Sequence, residues 1–244
     1  MKRKKYLLEK IEVTGYAAEG KSLAKQDGKV IFIEGAVPGD IADVFVSKNK
    51  KDWAEGKATR IHQYSKERVE PFCQHFGICG GCKWQMLPYE KQLEYKQQEV
   101  AQNFKRIGKV EMPEMFPIVG ADHTQQYRNK LEFTFSNKRY LTENEIKGDG
   151  ILPQENALGF HVPRIFDKII DIQTCYLMDD VNNIIRNSIR DFAKENNYTY
   201  YDIRQHTGWL RNIIIRYCST GELMVNVCLG YEDEVETKKL LDHL

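Results

Sequence analysis

Three of the chain's six cysteines are the residues whose type and spacing most clearly indicate chemistry. Cys73, Cys79 and Cys82 are separated by five and then two residues, and Gly80 and Gly81 place a turn between the last two. Because no secretory signal precedes them, a bound metal is favoured over disulfides for three thiols this close in sequence. A tetrahedral sulfur site then needs a fourth thiolate.

Cys175 is the best candidate for that fourth ligand, because it follows a β-type run and lies in a polar stretch. Cys218 and Cys228 lie inside apolar segments, where a cysteine is usually a small buried hydrophobe. Three ligands on one hook with a distant fourth are typical of iron–sulfur proteins, whereas zinc sites usually pair two short hooks. A structural zinc knuckle stays open as the alternative, and His75 is expected to line the metal pocket.

Composition and charge set the outer bounds of the prediction. The 244 residues include 36 Lys and Arg against 35 Asp and Glu, the balance of an ordinary soluble protein. Residues 1–70 hold 15 of the cations and 11 of the anions, a surplus that hints at a polyanionic partner near the N-terminus. The basic start lacks an apolar run long enough for a signal sequence, and no later stretch is long enough to cross a bilayer. We therefore expect a cytoplasmic protein with no membrane partner.

Residues 1–62 are predicted to form a small β-barrel, since short apolar runs alternate there with glycine-containing turns. In its hairpin loop, Lys48, Lys50 and Lys51 precede Trp53, and cations beside an aromatic ring suit RNA phosphates and a stacked base. The alternative is a solvated hairpin tip with Trp53 in the barrel core.

Residues 63–87 form the cysteine segment, and residues 88–120 begin with a helix that ends before Gly108. The helix has one apolar stripe, made of Tyr89, Leu93, Val100, Phe104 and Ile107. Residues 121–244 are predicted to be an incomplete α+β domain of strands, a long helix, a hairpin and a final helix. Five side chains of the long helix are expected to point inward, toward the core: Val181, Ile184, Ile185, Ile189 and Phe192.

Three further residues are candidates for RNA contact. Arg128 and Lys130 are two apart, so in a strand they project from the same face, with Leu131 and Phe133 on the opposite one. Arg211 lies at the start of another predicted strand. The alternative for each is a solvated or ion-paired surface cation.

The chain resembles a known family of enzymes. GYAAEGKSLAKQDGKVIFIEGAVPGDIADVFVSKNKKDWAEGKATRI resembles the TRAM domain, a small RNA-binding barrel. CQHFGICGGCKWQMLPYEKQLEYK is similar to the iron–sulfur segment of the bacterial 23S rRNA (uracil-5-)-methyltransferases. Further matches follow in the family's order: Tyr127-Arg128-Asn129-Lys130, Leu158-Gly159-Phe160, Cys175 and Leu210-Arg211-Asn212. Radical methylthiotransferases also carry TRAM domains, but their cysteines are spaced by three and two residues, which disfavours that class.

The resemblance implies a [4Fe-4S] cluster held by Cys73, Cys79, Cys82 and Cys175, with a structural and RNA-positioning role. It also implies methyl transfer from S-adenosylmethionine to uracil C5, after a cysteine thiolate adds to C6 of a uracil flipped out of its RNA. The residues for that chemistry belong to a C-terminal Rossmann-like domain that we expect to be absent here. The resemblance implies that the helix of residues 88–120 packs on that missing domain, and packing on this chain's own sheet is the alternative. The only G-x-G, at residues 148–150, is predicted to be a surface turn rather than a nucleotide-binding loop.

The sequence thus predicts an α+β fold class: a TRAM barrel, then an iron–sulfur-bearing α+β central domain, without the methyltransferase domain. The predicted function is the RNA-recognition and iron–sulfur half of a 23S rRNA uracil-C5 methyltransferase. S-adenosylmethionine would serve only the full-length enzyme, whose catalytic domain is the implied partner, and residues 1–244 alone would be inactive, with no catalytic residue of their own. The alternative is a stand-alone RNA-binding module with an iron–sulfur or zinc site and no catalysis. Electron transfer is disfavoured, because a carrier needs no RNA-binding barrel.

Overall fold

A computed structural model describes residues 5–148 and 155–244. The chain forms two compact units, and neither is continuous in sequence. The first combines the chain up to Phe72 with Lys83–Asp122, and the second combines Cys73–Cys82 with His123–Leu244. The loop that carries three cysteines therefore belongs to the second unit, whereas the residues directly after it belong to the first.

The first unit is built on a six-stranded sheet. Its strands are β1 (Tyr6–Glu12), β2 (Gly15–Ala17), β3 (Lys21–Gln26), β4 (Lys29–Glu34), β5 (Ile41–Asn49) and β6 (Trp53–Gln63), in the order β1-β5-β6-β4-β3-β2. Neighbours are antiparallel except β4 and β6, which run parallel. Alternate side chains enter the core, which includes Ile31, Ile33, Val44 and Val46.

The first unit also contains the helix α1 (Tyr89–Asn103), which continues into a π-helical turn over Phe104–Gly108. The segment that returns from this turn lies along the helix. Gln97 Nε2 donates to Phe116 O at 3.1 Å, and the hydroxyl of Tyr89 accepts from Ala121 N at 2.8 Å. This segment covers the first part of the predicted apolar stripe and leaves Ile107, at its far end, 78% exposed.

The second unit is built on a five-stranded antiparallel sheet. Its strands are β7 (Lys130–Ser136), β8 (Ala157–His161), β9 (Ile169–Asp171), β10 (Leu210–Tyr217) and β11 (Leu223–Leu229), in the order β11-β10-β7-β8-β9. Its helices are α2 (Glu143–Ile146), α3 (Val181–Glu195) and α4 (Glu234–His243). One face of the sheet packs on α3, and the shared core includes Leu131, Phe133, Phe135, Ile189, Ile213 and Ile215.

The buried face of α3 differs from the expected one. Ile184, predicted to point inward, is 64% exposed. The residues that are buried along the helix include three polar ones, Asn182, Asn183 and Arg186. Their side chains hydrogen-bond to the segment before the helix, an interaction that apolar periodicity does not reveal.

The fold class expected from the sequence is wrong. It placed a barrel, an iron–sulfur segment and an α+β domain in succession, without a C-terminal Rossmann-like methyltransferase domain. Over the described residues the structure is instead dominated by two sheets with few helices, and the cysteine loop is part of the second unit. The expectation failed because the sheet of the second unit forms by pairing residues far apart in sequence, such as Thr134 of β7 opposite Asn212 of β10. Local sequence patterns do not encode such pairing.

No helix within the described part of the chain is long and apolar enough to span a membrane. The G-x-G at residues 148–150 lies partly outside the described residues.

Candidate metal centre and nucleic-acid interface

The three clustered cysteines lie on a loop of tight turns. Phe76 N donates to Cys73 O at 3.0 Å, and Cys79 N donates to His75 O at 2.9 Å, so the backbone folds back on itself between the first two thiols. Gly80 is required by packing, because a Cβ there would lie 2.9 Å from Pro163 Cγ. The turn between Cys79 and Cys82 therefore packs closely against Pro163, a residue of the same unit.

Cys175 approaches from the segment between β9 and α3, and it is buried. Its backbone N–H donates to Asn183 Oδ1 at 2.8 Å, and its carbonyl accepts from Asn183 Nδ2 at 3.3 Å. The first turn of α3 thus fixes the backbone of this cysteine on both sides.

Cys79 and Cys82 are partly buried and pack against the core that contains Cys175. Burial raises the pKa of Cys79 to about 11, and a hydrogen bond from Gly81 N, 3.4 Å from Sγ, opposes this rise. The thiols of Cys175, Cys82 and Cys73 raise the same pKa further. The cysteine loop and Cys175 therefore contribute to one core, although they come from distant parts of the chain.

The thiols do not enclose a single metal ion. Among residues 5–148 and 155–244, no three Cys, His, Asp or Glu side chains meet in a geometry ready to hold one. A tetrahedral zinc ion with bonds of about 2.3 Å needs its sulfurs within about 4 Å of one another.

Arg186, which was not predicted from the sequence, is a fully buried cation whose charge acts on the Cys175 thiol. Burial raises the pKa of the Cys175 thiol, whereas a backbone hydrogen bond from Leu177 and the charge of Arg186 lower it. His75 is partly buried, and burial lowers its pKa, while the charge of Asp171 raises it. The sequence does contain one clue to the role of Arg186. It lies four residues after Asn182 on a helix that follows Cys175, so the two polar side chains lie on the same helix face.

Cys218 and Cys228 do not behave as the buried hydrophobes that were expected. Cys218 is exposed beside the β10–β11 turn, and Cys228 is half-buried on β11. The thiol of Cys228 donates to Asn226 Oδ1 at 3.8 Å. The strand predictions were sound, but both thiols lie away from the core that α3 covers.

In the β5–β6 hairpin, the predicted RNA-contacting lysines differ in their surroundings. Lys48 Nζ forms an ion pair with Glu55 Oε2 at 3.1 Å. Lys50 and Lys51 are exposed at the tip. Trp53 is half-buried and meets the ring of Phe32 edge-on, with centroids 6.2 Å apart, so one side of the indole is used for packing.

The second group of predicted RNA contacts lies around β7 and β10. Arg128 and Lys130 are both exposed, and Lys130 pairs across the strands with Arg216, another exposed cation that the sequence analysis missed. Arg211 lies at the other end of β10, where the register with β11 shifts, and its guanidinium lies 4.9 Å from the ring centroid of Tyr201. The structure thus brings Arg128, Lys130 and Arg216 to one end of the sheet and leaves Arg211 at the other.

Comparison with known proteins identifies a domain in the first unit. Residues 9–59 match the family model of the TRAM domain. This range covers the strands from most of β1 to the middle of β6, so the six-stranded sheet corresponds to that domain.

Whole-chain comparisons find RNA methyltransferases. The chain is 52% identical to an uncharacterized RNA methyltransferase of Bacteroides thetaiotaomicron, over 92% of this chain and 50% of that protein. It is 44% identical to one of Porphyromonas gingivalis, over 95% of this chain and 50% of that protein. A third, of Chlorobaculum tepidum, is 38% identical over 96% of this chain and 49% of its own length. The chain spans about half the length of these relatives.

A solved structure shows the same fold. The crystal structure of Pyrococcus abyssi tRNA (uracil-54, C5)-methyltransferase in complex with S-adenosyl-L-homocysteine superposes with a TM-score of 0.60 at 21% identity, covering 95% of this chain and 48% of that one. Nearly the whole chain therefore has the fold of part of a methyltransferase. This likeness overturns the expected fold class, which excluded a methyltransferase-like fold.

Proposed function

We propose that the chain is the RNA-recognition and iron–sulfur part of an S-adenosylmethionine-dependent RNA uracil-C5 methyltransferase that acts on 23S rRNA. Similarity to RNA methyltransferases over 92% of the chain and the TRAM match at residues 9–59 support the reaction class and RNA as the partner. The observation that carries the iron–sulfur part is the packing of Cys79 and Cys82 against the core that contains Cys175.

The residues present fit a [4Fe-4S] cluster. Such clusters are held by four cysteine thiolates and tuned by hydrogen bonds to sulfur, and the Gly81 N–H already donates to Cys79 Sγ. Ile78 and Leu177 belong to the same core region and give the cysteines apolar surroundings. When bound, the cluster supplies a cross-link between the cysteine loop and Cys175, which closes a long stretch of chain.

Within residues 1–244 the contribution to methylation is binding. Lys50 and Lys51 attract RNA phosphates at the hairpin tip, and Arg128 and Lys130 do so on the second unit. We assign the nucleophilic thiolate, the base that removes the C5 proton and the S-adenosylmethionine pocket to sequence outside residues 1–244. Residues 1–244 alone are accordingly proposed to be inactive.

Methyl transfer by the full-length protein tests the reaction. Full-length protein is incubated with methyl-labelled S-adenosylmethionine and transcripts of 23S rRNA or tRNA, and the digested RNA is separated by chromatography. Label in 5-methyluridine from 23S rRNA is expected, with none when residues 1–244 are used alone. Label only in tRNA would refute the rRNA substrate, label from residues 1–244 alone would refute their inactivity, and no label in either RNA would refute the activity.

Metal analysis tests the cluster separately. Protein purified without oxygen should be brown and contain about four iron and four sulfide ions per chain. Stoichiometric zinc without iron would overturn the cluster and favour a zinc-stabilised RNA-binding module.

A further inference from the structure

Arg186 is a buried cation without an anionic partner in contact. It lies on α3 with no measurable exposure, and its guanidinium lies 4.8 Å from the ring centroid of Phe133. Its donors reach four neutral oxygens: Ile172 O at 3.0 Å, Gln173 O at 2.6 Å, Asn182 Oδ1 at 3.0 Å and Asn183 Oδ1 at 2.8 Å. No carboxylate in the described part of the chain forms an ion pair with it.

This geometry ties Arg186 to the backbone of Cys175. Asn183 Oδ1 accepts from both the guanidinium and the Cys175 N–H, each at 2.8 Å. The guanidinium also binds the carbonyls of residues 172 and 173, so it holds the segment that presents the fourth thiol.

The buried charge needs compensation, because an isolated cation in an apolar interior is unfavourable. Burial lowers the pKa of Arg186 to about 10, and the charge of Arg190 lowers it further, whereas Cys175, Asp171 and Asp180 favour the charged form; the group stays charged at neutral pH. Metal binding deprotonates thiols and so places negative charge next to this cation.

We infer that Arg186 is a positioning residue of the proposed cluster site, which fixes the segment carrying Cys175 and supplies the positive charge that offsets the ligating thiolates. The inference rests on the proposed function, because it requires the cluster.

The test compares Arg186→Gln with Arg186→Lys in the full-length protein purified without oxygen. Reduction adds negative charge to a cluster, and a nearby cation favours it. Arg186→Gln should therefore shift the midpoint potential to more negative values, whereas Arg186→Lys should stay close to the unsubstituted protein. Arg139→Gln removes another largely covered guanidinium, paired with Glu145, and should leave the potential unchanged.

The outcomes separate this inference from the proposed function. No iron in the unsubstituted protein refutes both. Iron in the unsubstituted protein with an unchanged potential in a folded Arg186→Gln variant refutes the role of Arg186 alone. If circular dichroism shows that Arg186→Gln is unfolded, Asn183→Ala decides, because it breaks the link from Arg186 to the Cys175 backbone and keeps the charge. That variant should release iron to a chelator several-fold faster, and an unchanged release rate would overturn the inference.

Discussion

The guanidinium of Arg68 donates two hydrogen bonds to the carboxylate of Asp40, from Nη2 to Oδ2 at 2.7 Å and from Nε to Oδ1 at 2.9 Å. The carboxylate is fully buried and also accepts hydrogen bonds from the backbone N–H groups of Val37, at 2.8 Å, and Ser65, at 2.9 Å. One acidic side chain therefore joins the turn before β5 to the segment that leaves β6.

Arg68→Met should destabilise the first unit, because it leaves the Asp40 charge buried without its cation. Removing one partner of a buried pair costs about 3 to 5 kcal/mol, and the low end is expected because Arg68 partly reaches solvent. The free energy of unfolding by urea measures the loss. Lys238→Met, which breaks the exposed pair with Asp242, is the control and should change it by less than about 1 kcal/mol.

RNA binding at the β5–β6 hairpin should depend on Lys50 and Lys51 more than on Lys48, whose charge is already paired with Glu55. Replacing both tip lysines with Ala should flatten the slope of log affinity against log salt by about 1.4, at about 0.7 per phosphate contact on single strands. Lys48→Ala is the matched control and should change the slope less. An equal or larger effect from Lys48→Ala would place the RNA along the strands instead of at the tip.

Loss of Cys175 should remove the proposed cluster, because this residue is the proposed ligand that joins the loop to α3. Cys175→Ser should lose the brown colour and most of the iron, measured per chain after purification without oxygen. Cys218→Ser, at the exposed turn, should retain both. Full absorbance in Cys175→Ser would show that the fourth ligand is another residue.

The metal-free protein should lose stability in alkali. The pKa of Cys79 rises from 9.0 to about 11 on folding, mainly through burial, so folding favours the neutral thiol. This stabilisation is present below pH 9 and is lost as the pH rises towards about 11, since the unfolded chain ionises first. Denaturation midpoints between pH 8 and 11 measure the effect, and Cys79→Ala should show a shallower fall. The same slope in both proteins would show that Cys79 remains accessible to water.

Much of the local structure was predictable from the sequence, whereas the assembly of the second unit was not. The run KVIFIE became β4, and the helix predicted from Pro88 to Gly108 became α1 and its π-helical turn, because these patterns are local. Arg186 was missed for the opposite reason. Its side chain is held by the carbonyls of residues 172 and 173 as well as by Asn182 and Asn183, and the contact with those carbonyls joins parts of the chain with no shared periodicity.

The proposed cysteine ligands likewise divide into three that the local sequence reveals and one that it does not. The spacing of Cys73, Cys79 and Cys82 could be read directly, since it lies within ten residues. Cys175 could be proposed only from its polar surroundings and the family resemblance. Its approach depends on β9 and the first turn of α3, whose Asn183 fixes its backbone.

The uncovered end of the α1 stripe should make residues 1–244 self-associate. Val100, Phe104 and Ile107 are 44%, 42% and 78% exposed, while the returning segment covers the first turn of the helix. Burying each such side chain contributes about 1.5 to 3 kcal/mol, so exposed groups of this size favour association. Ile107→Lys should therefore lower the weight-average mass in sedimentation experiments at several protein concentrations. Ile184→Lys changes another exposed apolar position, 64% exposed on α3, and is the control that should leave the mass unchanged. A monomer at every concentration without any substitution would contradict the prediction.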